Sequence, residues 1–235
     1  MSCPKAAQSG LRPVMGRVAR VGEGWQSVRL DEIEPISVVG GKLLWRPVRR
    51  TLDVGAFGIN AYIAPDAGDD VVEEHTERML EHEEVYVVLS GRATFTLDGE
   101  TLDAPAGTVV FVRDPQIKRH ARAEEPQTAV LAVGGPREAA YEPSGWEHAF
   151  AAEQHRASGD YEAMVAEIAA GVERHPDDPG LLYDLACAEA LAGRSGDALV
   201  HLRRALELKP EWEDHARKDT DLVSVHDLPG WPLAE

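Results

Sequence analysis

Nine histidines are spread over the 235 residues, and only His75, His82 and His120 fall before residue 141. His82 stands two residues before Glu84 and four before Tyr86. On a continuous strand all three side chains point to one face. Imidazole and carboxylate together suit divalent ions such as Fe, Mn, Ni, Zn or Cu. His75 lies in the segment just before and can reach the same face if that segment folds back. Tyr86 can then serve as acid or base. The plainer alternative is structural: a lone surface imidazole, Glu83 and Glu84 as charges guarding a sheet edge, and Tyr86 as a core residue with its hydroxyl bonded locally. Asn60 and Tyr62 also share one strand face and can line a pocket. Arg46, with Arg49 and Arg50, clusters at a strand end and can meet an anionic ligand, or pair with the acidic stretch 69–84. No phosphate-cradling glycine loop, nucleophile elbow or CxxC is present.

These residues need strands to position them. Residues 85–89 are a β-branched and aromatic run ended by Ser90-Gly91, and 93–97 alternates before Asp98-Gly99, a two-residue hairpin signal. Pro105-Ala106-Gly107 is a further turn, and 108–112 a third strand. Such spacing predicts a small β-barrel or sandwich. Upstream, 14–64 reads as short strands and turns, with a turn at Gly40-Gly41 and strands at 43–48 and 55–63. A polar loop at 65–70 and an acidic connection at 71–83 follow. The segment 127–133 is the last β element, closed by Gly134-Gly135-Pro136.

Beyond residue 140 the hydrophobic period changes from 2 to 3.6, which predicts amphipathic helices at 146–157, 161–174, 180–192 and 197–209. Gly159 and Gly193, Ile168 and Leu202, and Pro176 and Pro210 are each separated by 34 residues, the tetratricopeptide period. In the second unit Leu182, Leu185, Ala186, Ala198, Leu202, Ala205 and Pro210 fall at packing positions of that repeat. The first is weaker, with His148, Ala151, Ala152 and His155 where larger apolar groups are usual. A capping helix is expected at 211–218.

The stretch 82–111 closely resembles the cupin family. The resemblance implies a jelly-roll barrel whose mouth often holds a metal, and it puts a carboxylate ligand on Glu84, with Gly91 at the family's spacing. The family's His-x-His pair is missing: its places fall on Glu77 and Met79, or on Arg78 and Leu80. Of the second motif, Pro115 and His120 match, whereas Ile117 and Glu124 depart. The Gly107–Pro115 interval is two residues longer than the family's, so His120 keeps its place if the extra length is a bulge and Lys118 takes it if not. The expectation is a rearranged metal site of His75, His82, Glu84 and His120, with Tyr86 catalytic and Asn60, Tyr62 and Arg46 around the substrate. The expected fold is mainly β with α: an N-terminal arm, partly disordered, at 1–29, a cupin jelly-roll β-barrel at 30–140, and a C-terminal TPR-like helical hairpin domain at 141–235.

Hydrophobic residues make up 43% of the chain, enough for real cores. The net charge of −17 argues against nucleic acid as a partner, because phosphates are repelled. Residues 141–235 hold 8 basic and 20 acidic groups, a balance of −12, which reads as a solvated surface or as a docking face for a basic partner. Two distant cysteines suit a reducing cytoplasm, and no apolar run reaches the ~20 residues of a membrane span. No signal peptide is read, and Met15 is an alternative start to Met1. Two functions follow. One is a metal-dependent cupin oxygenase, isomerase or cyclase acting on a small molecule. The other is a non-catalytic ligand-binding or scaffold protein, whose cupin forms a homodimer and whose TPR-like helices bind a protein partner.

Overall fold

The computed structural model describes residues 20–231. The arm expected at 1–29 lies outside that range up to residue 19. Its remainder carries a short antiparallel hairpin, β1 (Arg20–Gly22) with β2 (Trp25–Ser27). The chain continues through β3 (Ile36–Val38), β4 (Leu43–Arg46), α1 (Val48–Leu52), β5 (Gly58–Ala64), β6 (Asp70–His75), β7 (His82–Ser90) and β8 (Arg92–Leu97). Then come β9 (Glu100–Pro105), β10 (Val109–Val112), β11 (Arg119–Ala123) and β12 (Thr128–Pro136). The helices are α2 (Trp146–Ser158), α3 (Tyr161–Arg174), α4 (Pro179–Leu191), α5 (Ser195–Leu208) and the short α6 (Glu213–Ala216). The architecture is mainly β with α. It divides into two compact units, and residues 36–44 group with the helices beyond Tyr141 rather than with the strands of 45–141.

The eight strands β5 to β12 pair as one long hairpin. β8 meets β9 at the tip, then β7 meets β10, β6 meets β11 and β5 meets β12, all antiparallel. This ribbon rolls up so that β12 also pairs with β7, and β11 with β8. Within the two sheets these eight strands run β10-β7-β12-β5 and β6-β11-β8-β9, the strand order of a jelly roll. At the tip Asp98 and Gly99 both have positive φ, 48° and 89°, as a two-residue hairpin turn of matching twist requires. Gly91 is left-handed at φ 71°, and a Cβ there would overlap Thr128, so no larger residue fits without a shift.

Alternation fills the roll. Tyr86 and Val88 of β7, Val110 and Val112 of β10, Phe95 of β8 and Val130 of β12 are buried together with Ala93, Ala104, Ala121 and Ala123. Three elements differ from the sequence expectation. The connection expected at 71–83 is strand β6, a turn and the start of β7. The β11 strand has no counterpart in the hydrophobic pattern, because its inward positions are Arg119, Ala121 and Ala123 rather than large apolar groups. Gly134 and Gly135 lie within β12, paired with Glu84 and Glu83, and do not form a turn.

In the helical unit, α3 and α5 are each 14 residues long and start at Tyr161 and Ser195. Gly159 and Gly193 take the left-handed conformation, φ 71° and 78°, that ends the preceding helices. The side chains of Asp160 and Asp178 cap the starts of α3 and α4 by accepting backbone N–H bonds. Ile168, Leu182, Leu202, Leu222 and Val225 are buried between these elements. The cap expected at 211–218 is only the single turn of α6, preceded by a 3-10 turn at Pro210–Trp212. Among the described residues no helix is long and apolar enough to cross a membrane.

Candidate functional site

One end of the roll gathers its charged groups. Glu84 is the third residue of β7, on the inward face that continues into Tyr86 and Val88. Its cross-strand neighbour on β12 is Gly134, where a Cβ would sit 2.9 Å from the Glu84 Cγ. Glycine at that position is what lets the carboxylate side chain lie across the sheet. His75 closes β6, Glu77 follows it in the turn, and Arg119 opens β11. The strand ends thus bring residues from distant parts of the chain to one place.

His75, Glu77 and Glu84 each offer a ligand atom, and these atoms all lie within 4.8 Å of one another. The His75 Nε2 stands 3.5 Å from Glu77 Oε1 and 3.6 Å from Glu84 Oε2. Both separations exceed the usual hydrogen-bond length of about 2.7–3.2 Å. With metal–ligand bonds of about 2.0–2.2 Å, two ligands of one tetrahedral ion stand roughly 3.3–3.6 Å apart. The donor set, one imidazole and two carboxylates, fits a divalent ion of borderline or hard character. His75 is fixed from behind by Nδ1, 2.7 Å from the carbonyl oxygen of Glu73, which leaves Nε2 to face the carboxylates.

A second ring of contacts holds these groups. His82 is buried, with Nδ1 3.3 Å from Glu77 Oε2, and its ring stacks on Tyr141 at a centroid distance of 5.5 Å. The Tyr86 hydroxyl donates to Glu84 Oε2. Arg119, completely buried, places Nε 3.6 Å from the same oxygen. Burial favours the neutral form of Glu84, but His75, Tyr86 and Arg119 outweigh it and hold the carboxyl below its usual range. Burial likewise disfavours the His75 imidazolium, but Glu84 overcomes that and raises its pKa. Burial, reinforced by Glu84, pushes the Tyr86 phenol well above its ordinary value, so it stays protonated and donates its hydrogen bond to Glu84.

The residues singled out from the sequence are therefore placed differently from one another. His75, Glu84 and Tyr86 come together, and His82 adjoins them through Glu77. His120 points away from this cluster, with Nε2 2.8 Å from Asp70 Oδ1. The alternation of β11 sends Arg119 inward and His120 outward. Asn60 is buried on β5, in the row Asn60–Ala132–Tyr86 across the sheet. Tyr62 packs against the barrel core. Arg46 donates from Nη1 to the carbonyls of Leu30, at 3.1 Å, and Ile33, which ties down that loop. Glu77 and Arg119 escaped the sequence reading as site members. Glu77 does fall where the cupin pattern expects a histidine, which was the available signal.

No protein-family model matches the chain, and no curated protein matches it. Solved structures to which it is similar include a predicted oxalate decarboxylase from Thermotoga maritima, at 22% identity and TM-score 0.39, spanning 47% of this chain and 99% of that one. KdgF from a Halomonas species is 18% identical at TM-score 0.37, over 44% and 86%. A cupin-superfamily sugar phosphate isomerase from Silicibacter pomeroyi is 16% identical at TM-score 0.40, over 47% and 76%. The chain's own strand order and site define an antiparallel jelly roll with an acidic, imidazole-bearing cluster at one end of the barrel.

Proposed function

We propose that this chain is a cupin-type protein that acts on a small molecule and holds a divalent metal ion on His75, Glu77 and Glu84. The observation that carries the reading is the stand-off within that group. Three metal-ligating side chains converge, yet His75 stays beyond hydrogen-bond distance of both carboxylates. A divalent ion there would supply a Lewis-acidic centre that polarises a substrate oxygen. His82 would orient Glu77 from behind, and Tyr86 would keep a proton in reach of Glu84 and of any substrate oxygen beside it. His120, held by Asp70, takes no part. Isomerase, cyclase or oxygenase chemistry is compatible with such a site.

The test is elemental analysis of untagged protein after reconstitution, with His75→Ala and Glu84→Gln beside the wild type. Near-stoichiometric Fe, Mn, Ni, Zn or Cu, lost in both variants and retained in His120→Ala, supports the site. A wild type that stays metal-free after reconstitution sinks it and leaves a binding protein without a metal.

A further inference from the structure

The barrel interior contains a guanidinium whose hydrogen-bond donors the fold satisfies only in part. Arg119 stands at the start of β11 on the inward face it shares with Ala121 and Ala123. Its side chain is wholly buried. A guanidinium carries five N–H donors and keeps its charge in proteins. Only Nη2 is engaged, donating to the Asp114 carbonyl at 3.3 Å. Nε and Nη1 are buried with no hydrogen-bond partner. Glu84 offers charge at 3.6 Å but no direct bond to Nε.

The same chain builds a closed arginine fork elsewhere. Arg92 donates to both oxygens of Asp103, from Nε at 2.6 Å and from Nη2. That pair is exposed on the surface, where it contributes little. Leaving donors open in the interior costs far more, on the order of 1–3 kcal/mol for each unsatisfied group and more for charged ones. Glu84 balances the charge, but the open donors mark a place that a group outside the fold can complete.

We propose that Arg119 is the carboxylate-binding residue of the barrel site. Its unused Nη1 donors hold the carboxylate of a small organic acid whose other end lies toward His75, while Glu84 stays as the counter-charge beside Nε. The exposure of the cluster rises from none at Arg119, through 13% at Glu84, to 34% at His75, which sets the direction of entry. Glu77 and Glu84 already place two negative charges at this end against Arg119 and His75. A singly charged carboxylate is accommodated there, and a doubly charged phosphate is repelled. The proposal rests on the preceding functional reading for the place where the ligand sits, but it does not require the metal.

The experiment uses the monoanion glycolate as probe and glycolamide as its uncharged counterpart, titrated into the full chain both stripped with chelator and loaded with metal. Binding is followed by calorimetry and by the side-chain Nε–H resonance of Arg119, assigned from its loss in Arg119→Lys. The expected result is glycolate binding to stripped protein, a shift of that resonance, no binding of glycolamide, and a loss of roughly tenfold or more in affinity in Arg119→Lys. The shift is read in the wild type, so that outcome stands even if Arg119→Lys is less stable. Absence of glycolate binding to folded wild type, or binding that leaves the Arg119 resonance unmoved, overturns the proposal. Binding seen only with metal and equal in Arg119→Lys assigns the carboxylate to the ion, which overturns the Arg119 role and leaves the metal reading standing. Binding by a protein that takes up no metal does the reverse.

Discussion

Glu189 on α4 and Glu84 on β7 are both carboxylates on buried faces, and the chain treats them differently. Glu189, whose side chain is 3% exposed, is closed by His201 Nδ1 at 2.7 Å, with Arg194 behind it at 3.6 Å. In the same helical unit His148 and Glu167 close to 2.8 Å. Glu84 in the barrel faces an imidazole and a guanidinium, and both stand at 3.6 Å, with only the neutral Tyr86 hydroxyl in contact. Where a buried charge serves the helices, its opposite is drawn up against it. Where it serves the barrel end, its opposites are held at 3.6 Å, beyond hydrogen-bond reach.

The contrast can be broken in several places, the largest effect first. Glu189→Ala should lower the melting temperature of the helical unit, because removing one partner of a buried pair costs about 3 kcal/mol, or roughly 6–12 °C for a chain of this size. The joint change of Glu84→Gln and Arg119→Met should leave the barrel's melting temperature unchanged or raise it, since the fold never completed that pair. Similar losses in the two experiments would erase the distinction. Saturating metal should raise the barrel's melting point by the equivalent of about 2–3 kcal/mol at a hundredfold excess over Kd, and His75→Ala should abolish the rise. A metal response that survives His75→Ala places the ion elsewhere.

A fourth, smaller effect separates the units by pH. Burial, with the charges of Glu153 and Asp178, pushes the Asp184 carboxyl up to about 7. A carboxyl raised in the folded state binds its proton more tightly than the unfolded chain does. Its contribution is present below the ordinary carboxylate range and is lost as pH rises through about 7. Melts of the helical unit should therefore lose about 1–2 kcal/mol between pH 5 and 8, and Asp184→Asn should flatten that slope. Parallel slopes in wild type and variant would remove Asp184 as the cause. Smallest of all, His120→Ala should change stability by under about 0.5 kcal/mol and leave metal content alone, because its contact with Asp70 is solvent-exposed.

Much of this was legible from the chain. The Asp98-Gly99 hairpin, the face shared by Glu84 and Tyr86, and the helices spaced 34 residues apart rest on local periodicity and turn chemistry, which sequence displays directly. β11 was hidden because small residues fill the inward positions beside Arg119, so its alternation carries no hydrophobic signal. The inward arginine and the outward His120 differ by one position on that strand, a distinction that only the pairing of β11 with β6 and β8 decides. Gly134 and Gly135 read as a turn because glycine marks turns far more often than it marks room for a neighbour's side chain. Glu77 sits in a turn, where no period exists to aim it.

The rolled ribbon also sets an order in time. The β8–β9 tip closes over neighbouring residues, whereas β5 with β12 and β6 with β11 join segments far apart in the chain. Nucleation at the tip is the inexpensive step in loop entropy, and each later turn of the roll brings together more distant strands. His75, Glu84 and Arg119 lie on three strands that meet only when the roll is well advanced, so the half-made barrel has no site to fill. An ion or acid captured at that end can act only on the finished roll. It should prolong the lifetime of the folded barrel against unfolding and leave its refolding rate where it was.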